Sequence, residues 1–160
     1  MGLDSSFERA YAKSQLAAGQ KLPRSGRVFL SVRDRDKSAL VPVARGLHEL
    51  GFELLATAGT GRRLAEAGVP VRIIPKVSEG RPNIVDHIKD GEIALVINTP
   101  SGQKPRRDIT TIRAIAVSRG VPLITTMPGA KATFLAIKEL KQGELSVRSL
   151  QEYHAAIRRA

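Results

Sequence analysis

The chain contains no cysteine and no tryptophan, and aromatic residues make up only 4% of its 160 positions. Without cysteine there is no disulfide framework and no thiolate chemistry, so a redox function is excluded. Aromatics this sparse, never interleaved with Lys or Arg, argue against a stacking platform for single-stranded nucleic acid. Long apolar runs are missing too: Ile93 to Ile97 falls far short of the roughly 20 residues that cross a bilayer, and no membrane partner is expected. Met1-Gly-Leu-Asp-Ser-Ser-Phe7 has neither the basic start nor the apolar middle of a secretory signal, which makes the cytoplasm the expected location. The three histidines, His48, His87 and His154, fall on separate predicted helices. None has a second ligand at metal spacing, so no metal site is expected. Asp86 and Asp90 lie one helical turn apart and read as a solvated helix end rather than an acid/base pair. No catalytic residue is assigned.

What is present is an ordinary globular composition, 42% hydrophobic and 26% charged, with a formal net charge of +11. That length supports one compact core and no second substantial domain. The charge attracts anions, and phosphates are the anions met most often in a cell. A basic nucleic-acid-binding module is one alternative, and a solvated basic face is the blander one.

Five short β-branched runs recur along the chain, Val28 to Val32, Phe52 to Thr57, Val71 to Lys76, Ile93 to Asn98 and Val121 to Thr126. Each is followed by a segment with helical spacing, which predicts an α/β fold with an open five-stranded parallel sheet flanked by helices. Leu40, Val43, Leu47 and Leu50 share one face of the helix after the first run, which Gly51 should stop. Pro42 is expected to delay or kink that helix. Gly68, Gly91 and Gly120 punctuate the later units. Ile109, Ile112, Ile115 and Ala116 line the fourth crossover helix, and Ala130, Phe134, Ile137 and Leu140 the fifth. Residues 1–25 read as an N-terminal helix, with Phe7 and Tyr11 on one face, and a linker; residues 26–160 form the domain proper. A C-terminal helix carries Leu150, Tyr153 and Ile157.

Ligands of open parallel sheets bind beyond the carboxyl ends of the strands. Those ends carry Ser31 and Lys37, then Thr57-Ala-Gly59-Thr60, then Lys76, then Asn98-Thr99-Pro-Ser101-Gly102. Hydroxyls, loop N–H groups and a helix N-terminus suit phosphate oxygens, and two lysines supply charge. Taken singly, the fragments are bland: a strand-to-helix turn with Thr60 as N-cap, two surface lysines and an ordinary turn. Their convergence points to a phosphate site. Thr60 is expected to open its helix, and Lys76 to end a buried strand as a partly desolvated charge. Gly59-Thr-Gly61 is not a dinucleotide fingerprint, because Leu64 stands at the third glycine position.

Four segments carry a family resemblance: Ser31-Val-x-x-x-Asp36-Lys37, Ala56-Thr-x-Gly-Thr60, Lys76-Val-x-Glu-Gly-Arg-Pro82 and Ile97-Asn-Thr-x-Ser-Gly102. In this order they resemble the methylglyoxal-synthase-like C-terminal domain of carbamoyl phosphate synthase large chains. Met1-Gly-x-Asp-x-x-Phe7 and Ala10-Tyr-x-Lys-x-Gln15 are similar to the junction leaving the preceding ATP-grasp half. The resemblance implies a Rossmann-like sheet and a regulatory domain that binds an effector nucleotide, UMP or IMP. It places Lys37, Thr57, Gly59, Thr60 and Lys76 around the phosphate, with Ser31, Asn98, Thr99, Ser101 and Gly102 flanking the nucleoside. No cofactor of the domain itself is implied; the parent enzyme uses ATP and Mg. The implied partners are the remainder of the large chain, the glutaminase small subunit and a further copy through self-association, in glutamine-dependent carbamoyl phosphate synthesis for pyrimidine and arginine biosynthesis. Nucleic acid is disfavoured as a partner. The enzymatic alternative within the superfamily is methylglyoxal synthase, a phosphate lyase with an aspartate base. Alignment on Glu79-Gly-Arg-Pro82 puts Arg81 at that aspartate, and a guanidinium accepts no proton at neutral pH.

Overall fold

A computed structural model of the chain describes residues 1–100 and 106–157. Strands β1 (Arg27–Ser31), β2 (Glu53–Thr57), β3 (Arg72–Ile74), β4 (Ile93–Asn98) and β5 (Leu123–Ile124) alternate with helices α2 (Lys37–Glu49), α3 (Ala58–Glu66), α4 (Ile84–Lys89) and α5 (Arg106–Ser118). Helices α1 (Phe7–Ala17), α6 (Met127–Gln142) and α7 (Leu150–Ile157) stand outside these crossovers. The strands form one parallel sheet in the order β3-β2-β1-β4-β5. The chain therefore builds outward from β1 to β3 and then restarts beside β1 with β4. That reversal makes the carboxyl ends of β1 and β4 a topological switch point, where open sheets hold their ligands.

Side chains alternate across the sheet, and each face closes its own core. Val28, Leu30, Leu54, Ala56, Leu95 and Ile97 pack under α2, α3 and α6, while Phe29, Leu55, Ile74 and Val96 pack under α4 and α5. The predicted apolar faces of α2, α5 and α6 turn inward as expected, through Leu40, Val43 and Leu47, Ile112 and Ala116, and Ala130 and Ile137. The helices end on left-handed glycines, Gly51 after α2 and Gly68 after α3, a backbone region closed to most side chains. Helix α1 packs on α6, burying Ala12 and bringing the Tyr11 hydroxyl within 3.2 Å of that of Thr133.

Four local expectations need correction. Pro42 does not delay α2, which begins five residues earlier at Lys37; Ser38 and Pro42 are both exposed, so water can serve the carbonyl that loses its donor. Strand β3 is an edge strand of three residues ending at Ile74. Lys76 consequently lies on the loop beyond it, not at the end of a buried strand. Thr57, not Thr60, is the N-cap of α3, and Thr60 sits within its first turn. Strand β5 is cut to Leu123–Ile124, because Thr126 leaves the sheet to cap α6 by accepting a hydrogen bond from the Gly129 N–H.

Candidate functional site

The carboxyl ends of β1, β2 and β4 open on a crevice of about 630 Å³. Ser31, Lys37, Thr57, Gly59, Thr60, Lys76, Asn98 and Thr99 all line it. Eight of the ten residues singled out in the sequence thus meet in one cavity; Ser101 and Gly102 lie outside the described residues. One wall is polar and comes from the β1–α2 loop and the start of α3. The other is largely apolar, formed by Phe29, Val77, Ile84, Ile109 and Ile112.

The hydroxyls do two different jobs. Thr60 accepts a hydrogen bond from the Val32 N–H at 3.1 Å, and Thr99 accepts one from the Arg33 N–H at 3.1 Å. Both threonines are buried, so they hold the β1–α2 loop in place. Thr99 also donates to Asp36. Burial alone would raise the Asp36 pKa, but Thr99 and the guanidinium groups of Arg33 and Arg35 outweigh it and keep the carboxylate charged. Ser31 and Thr57 share a hydrogen bond at 3.2 Å across neighbouring strands.

The ammonium of Lys37 lies over the first turn of α3, so close that a Cβ on Gly59 would stand 3.0 Å from Nζ. Glycine at this position leaves the ammonium room for that approach. Thr57 makes no side-chain cap to α3, which leaves the N–H groups of that turn without a capping oxygen. A cation and an uncapped helix start together favour an anion. Lys76 faces the crevice from the opposite loop.

Several groups in or beside the crevice were not read from the sequence. Asp34 pairs with Lys37 at 2.7 Å, and Lys76 pairs with Glu79 at 2.9 Å. The Ser78 hydroxyl donates to Asp108 at 3.1 Å, joining the Lys76 loop to α5. The available signal was an opposite charge three residues from each lysine. Arg81 does not line the crevice; it pairs with Asp86, which also closes the capping box of α4 by accepting from the Asn83 N–H.

The family model of the MGS-like domain matches residues 39–125. The chain is 51% identical over 159 residues to the carbamoyl phosphate synthase large chain, C-terminal section, of Methanocaldococcus jannaschii, covering 99% of this chain and 26% of that one. It is 49% identical over 153 residues to the carbamoyl phosphate synthase large chain of Nostoc sp., covering 96% of this chain and 14% of that one. The corresponding section from Methanopyrus kandleri is 51% identical over 155 residues, 96% of this chain and 29% of its own length. The chain thus spans less than a third of each of these relatives. Among solved structures, methylglyoxal synthase from Elizabethkingia anophelis superposes with a TM-score of 0.58 at 20% identity, over 71% of this chain and 79% of that one. At that identity the likeness speaks for the fold alone.

Proposed function

Because this chain belongs to the MGS-like domain family and is about half identical, over nearly its whole length, to C-terminal sections of carbamoyl phosphate synthase large chains, we propose that its crevice binds a regulatory nucleoside monophosphate of the UMP or IMP class. The observation that carries the reading is that Lys37, Lys76 and the uncapped start of α3 line one cavity together with apolar side chains. The lysines and the helix start suit a phosphate, and the apolar lining of Ile84, Ile109 and Ile112 suits a base and sugar.

In this reading the chain performs no turnover itself. It forms the regulatory section of a cytoplasmic carbamoyl phosphate synthase whose remaining large-chain domains use ATP and Mg and whose small subunit supplies ammonia from glutamine. Arg81 supports a non-catalytic role, since it is tied to Asp86 and offers no base.

Calorimetry on the 160-residue chain with UMP, IMP, inorganic phosphate, uridine and inosine tests the reading. Binding of the monophosphates, with much weaker binding of the nucleosides, is the expected result. Equal affinity for nucleoside and nucleotide would remove the phosphate site. Phosphate release from dihydroxyacetone phosphate would establish the lyase alternative, and tight, salt-sensitive oligonucleotide binding the nucleic-acid alternative.

A further inference from the structure

Both lysines that face the crevice already hold a carboxylate. Asp34 Oδ1 lies 2.7 Å from the Lys37 ammonium, and Glu79 Oε1 lies 2.9 Å from that of Lys76. The two pairs repeat one device, an acid three residues from the lysine on a strand-end loop. Asp34 does not build its loop in the way Asp36 does, and Glu79 does so only through the Lys76 backbone. Asp36 is buried and bonded to Thr99 and Arg33, whereas the Asp34 side chain is 95% exposed and its only described polar partner is Lys37. Glu79 is half-exposed and accepts from the Lys76 backbone N–H as well as from its ammonium.

We infer that Asp34 and Glu79 are internal counter-carboxylates, which an incoming phosphate must displace and which set the affinity of the crevice for phosphate esters. The inference rests on the phosphate reading above and adds the residues that tune it. Hydrogen bonds from the two lysines hold both acids below their ordinary pKa, so both stay ionised at neutral pH. A phosphate at Lys37 or Lys76 replaces an existing ion pair rather than meeting a bare cation. The displaced carboxylate, tethered three residues away, still repels the ligand through a few ångströms of partly screened solvent. Both lysines stand in closed ion pairs, which a phosphate ester must break in order to bind.

A different role would leave a different mark. If Asp34 merely held Lys37 in a useful rotamer, its loss would weaken binding. If it competes, its loss strengthens binding, and only for charged ligands.

The experiment compares wild type, Asp34→Asn, Glu79→Gln, the double variant and Asp34→Glu by calorimetry with UMP, inorganic phosphate and uridine, at low and moderate salt. Each neutral variant should bind UMP and phosphate roughly three- to tenfold more tightly than wild type, and the double variant more tightly still. Asp34→Glu should return towards wild type, uridine should be indifferent to every change, and the gains should shrink with salt. Neutral variants that bind UMP as wild type does, or more weakly, would overturn the inference while leaving the phosphate site standing. If neither wild type nor any variant binds UMP or phosphate, the phosphate reading falls and this inference with it. Binding that emerges only in the neutral variants would support it directly.

Discussion

The hydroxyl of Thr60 accepts a hydrogen bond from the Val32 backbone N–H at 3.1 Å, in a position only 2% exposed. One residue in the first turn of α3 thereby holds Val32, the first residue after β1, and with it the loop that leads to Lys37. Removing the oxygen while keeping the shape strands a buried N–H, which costs about 1 to 3 kcal/mol.

Thr60→Val should therefore lower the melting temperature by roughly 3 to 10 °C for a domain of this size, whether or not nucleotide is present. Thr60→Ser, which keeps the oxygen, should recover most of the loss. Differential scanning calorimetry checks both. A Val variant as stable as wild type would mean that the Val32 N–H finds another partner.

The two lysines should not contribute equally. Lys37 is 22% exposed and sits against the start of α3, while Lys76 is 53% exposed on a loop beyond an edge strand. Loss of a charge-assisted hydrogen bond in a partly desolvated place costs about 1.5 to 3 kcal/mol, so Lys37→Ala should weaken UMP binding by tenfold or more. Solvent screens Lys76, and Lys76→Ala should cost only a few-fold. Uridine binding should be untouched in both. Titration calorimetry decides, and a larger loss at Lys76 would shift the phosphate towards the β3 side of the crevice.

The sequence alone suggests a partly desolvated Lys76 at the end of a buried strand, and the reason the structure differs is local. The run Val71 to Lys76 looks like a buried strand, but an edge strand has one neighbour, and pairing with β2 lasts only from Arg72 to Ile74. Central strands were legible because both of their faces are covered: β4 runs from Ile93 to Asn98 as read, and β1 and β2 differ by a residue at their ends. The site was legible for a related reason. Parallel strands deliver their carboxyl ends to one side, so Ser31, Thr57 and Asn98 had to converge once the fold was known. Asp34 and Ser78 escaped notice because residues between the regular elements carry no periodicity, and Asp108 because it lies in the first turn of α5 outside the apolar stripe. The double duty of Thr60 and Thr99 escaped for another reason: a hydroxyl suits a backbone N–H as well as it suits a phosphate.

Acid should weaken the fold through carboxylates held low in the native state. The Arg81 guanidinium and the Asn83 N–H hold Asp86 down to about 2. Asp4 would be raised by burial, but Lys13 and Ser5 outweigh this and bring it to about 2 as well. A folded-state pKa below the unfolded value of about 3.9 contributes stability that is present above pH 4 and is lost as pH falls towards 2. Urea midpoints measured from pH 5 to pH 2.5 should fall more steeply for wild type than for Asp86→Asn, although the variant starts lower at pH 5. Parallel profiles would show that Asp86 is not held low.

Gly46 faces the ring of Phe134 where α2 meets α6, and a Cβ there would stand 2.3 Å from Cζ and 2.4 Å from Cε2. On an open helix surface, replacing glycine by alanine gains about 1 kcal/mol. Here the added methyl must push an aromatic ring out of a packed interface, and overpacking of this kind costs about 1 to 3 kcal/mol. The steric term should win, so Gly46→Ala should lower the unfolding free energy by about 1 kcal/mol, read as a reduced urea midpoint with unchanged slope. The cause can be isolated by trimming the ring. In a Phe134→Leu background the same Gly46→Ala change should become neutral or stabilising, because space opens while the helix preference remains, and the double-mutant cycle should show coupling between the two positions. If Gly46→Ala stabilised the wild-type background, the α2–α6 contact would have to be looser than the ring position indicates.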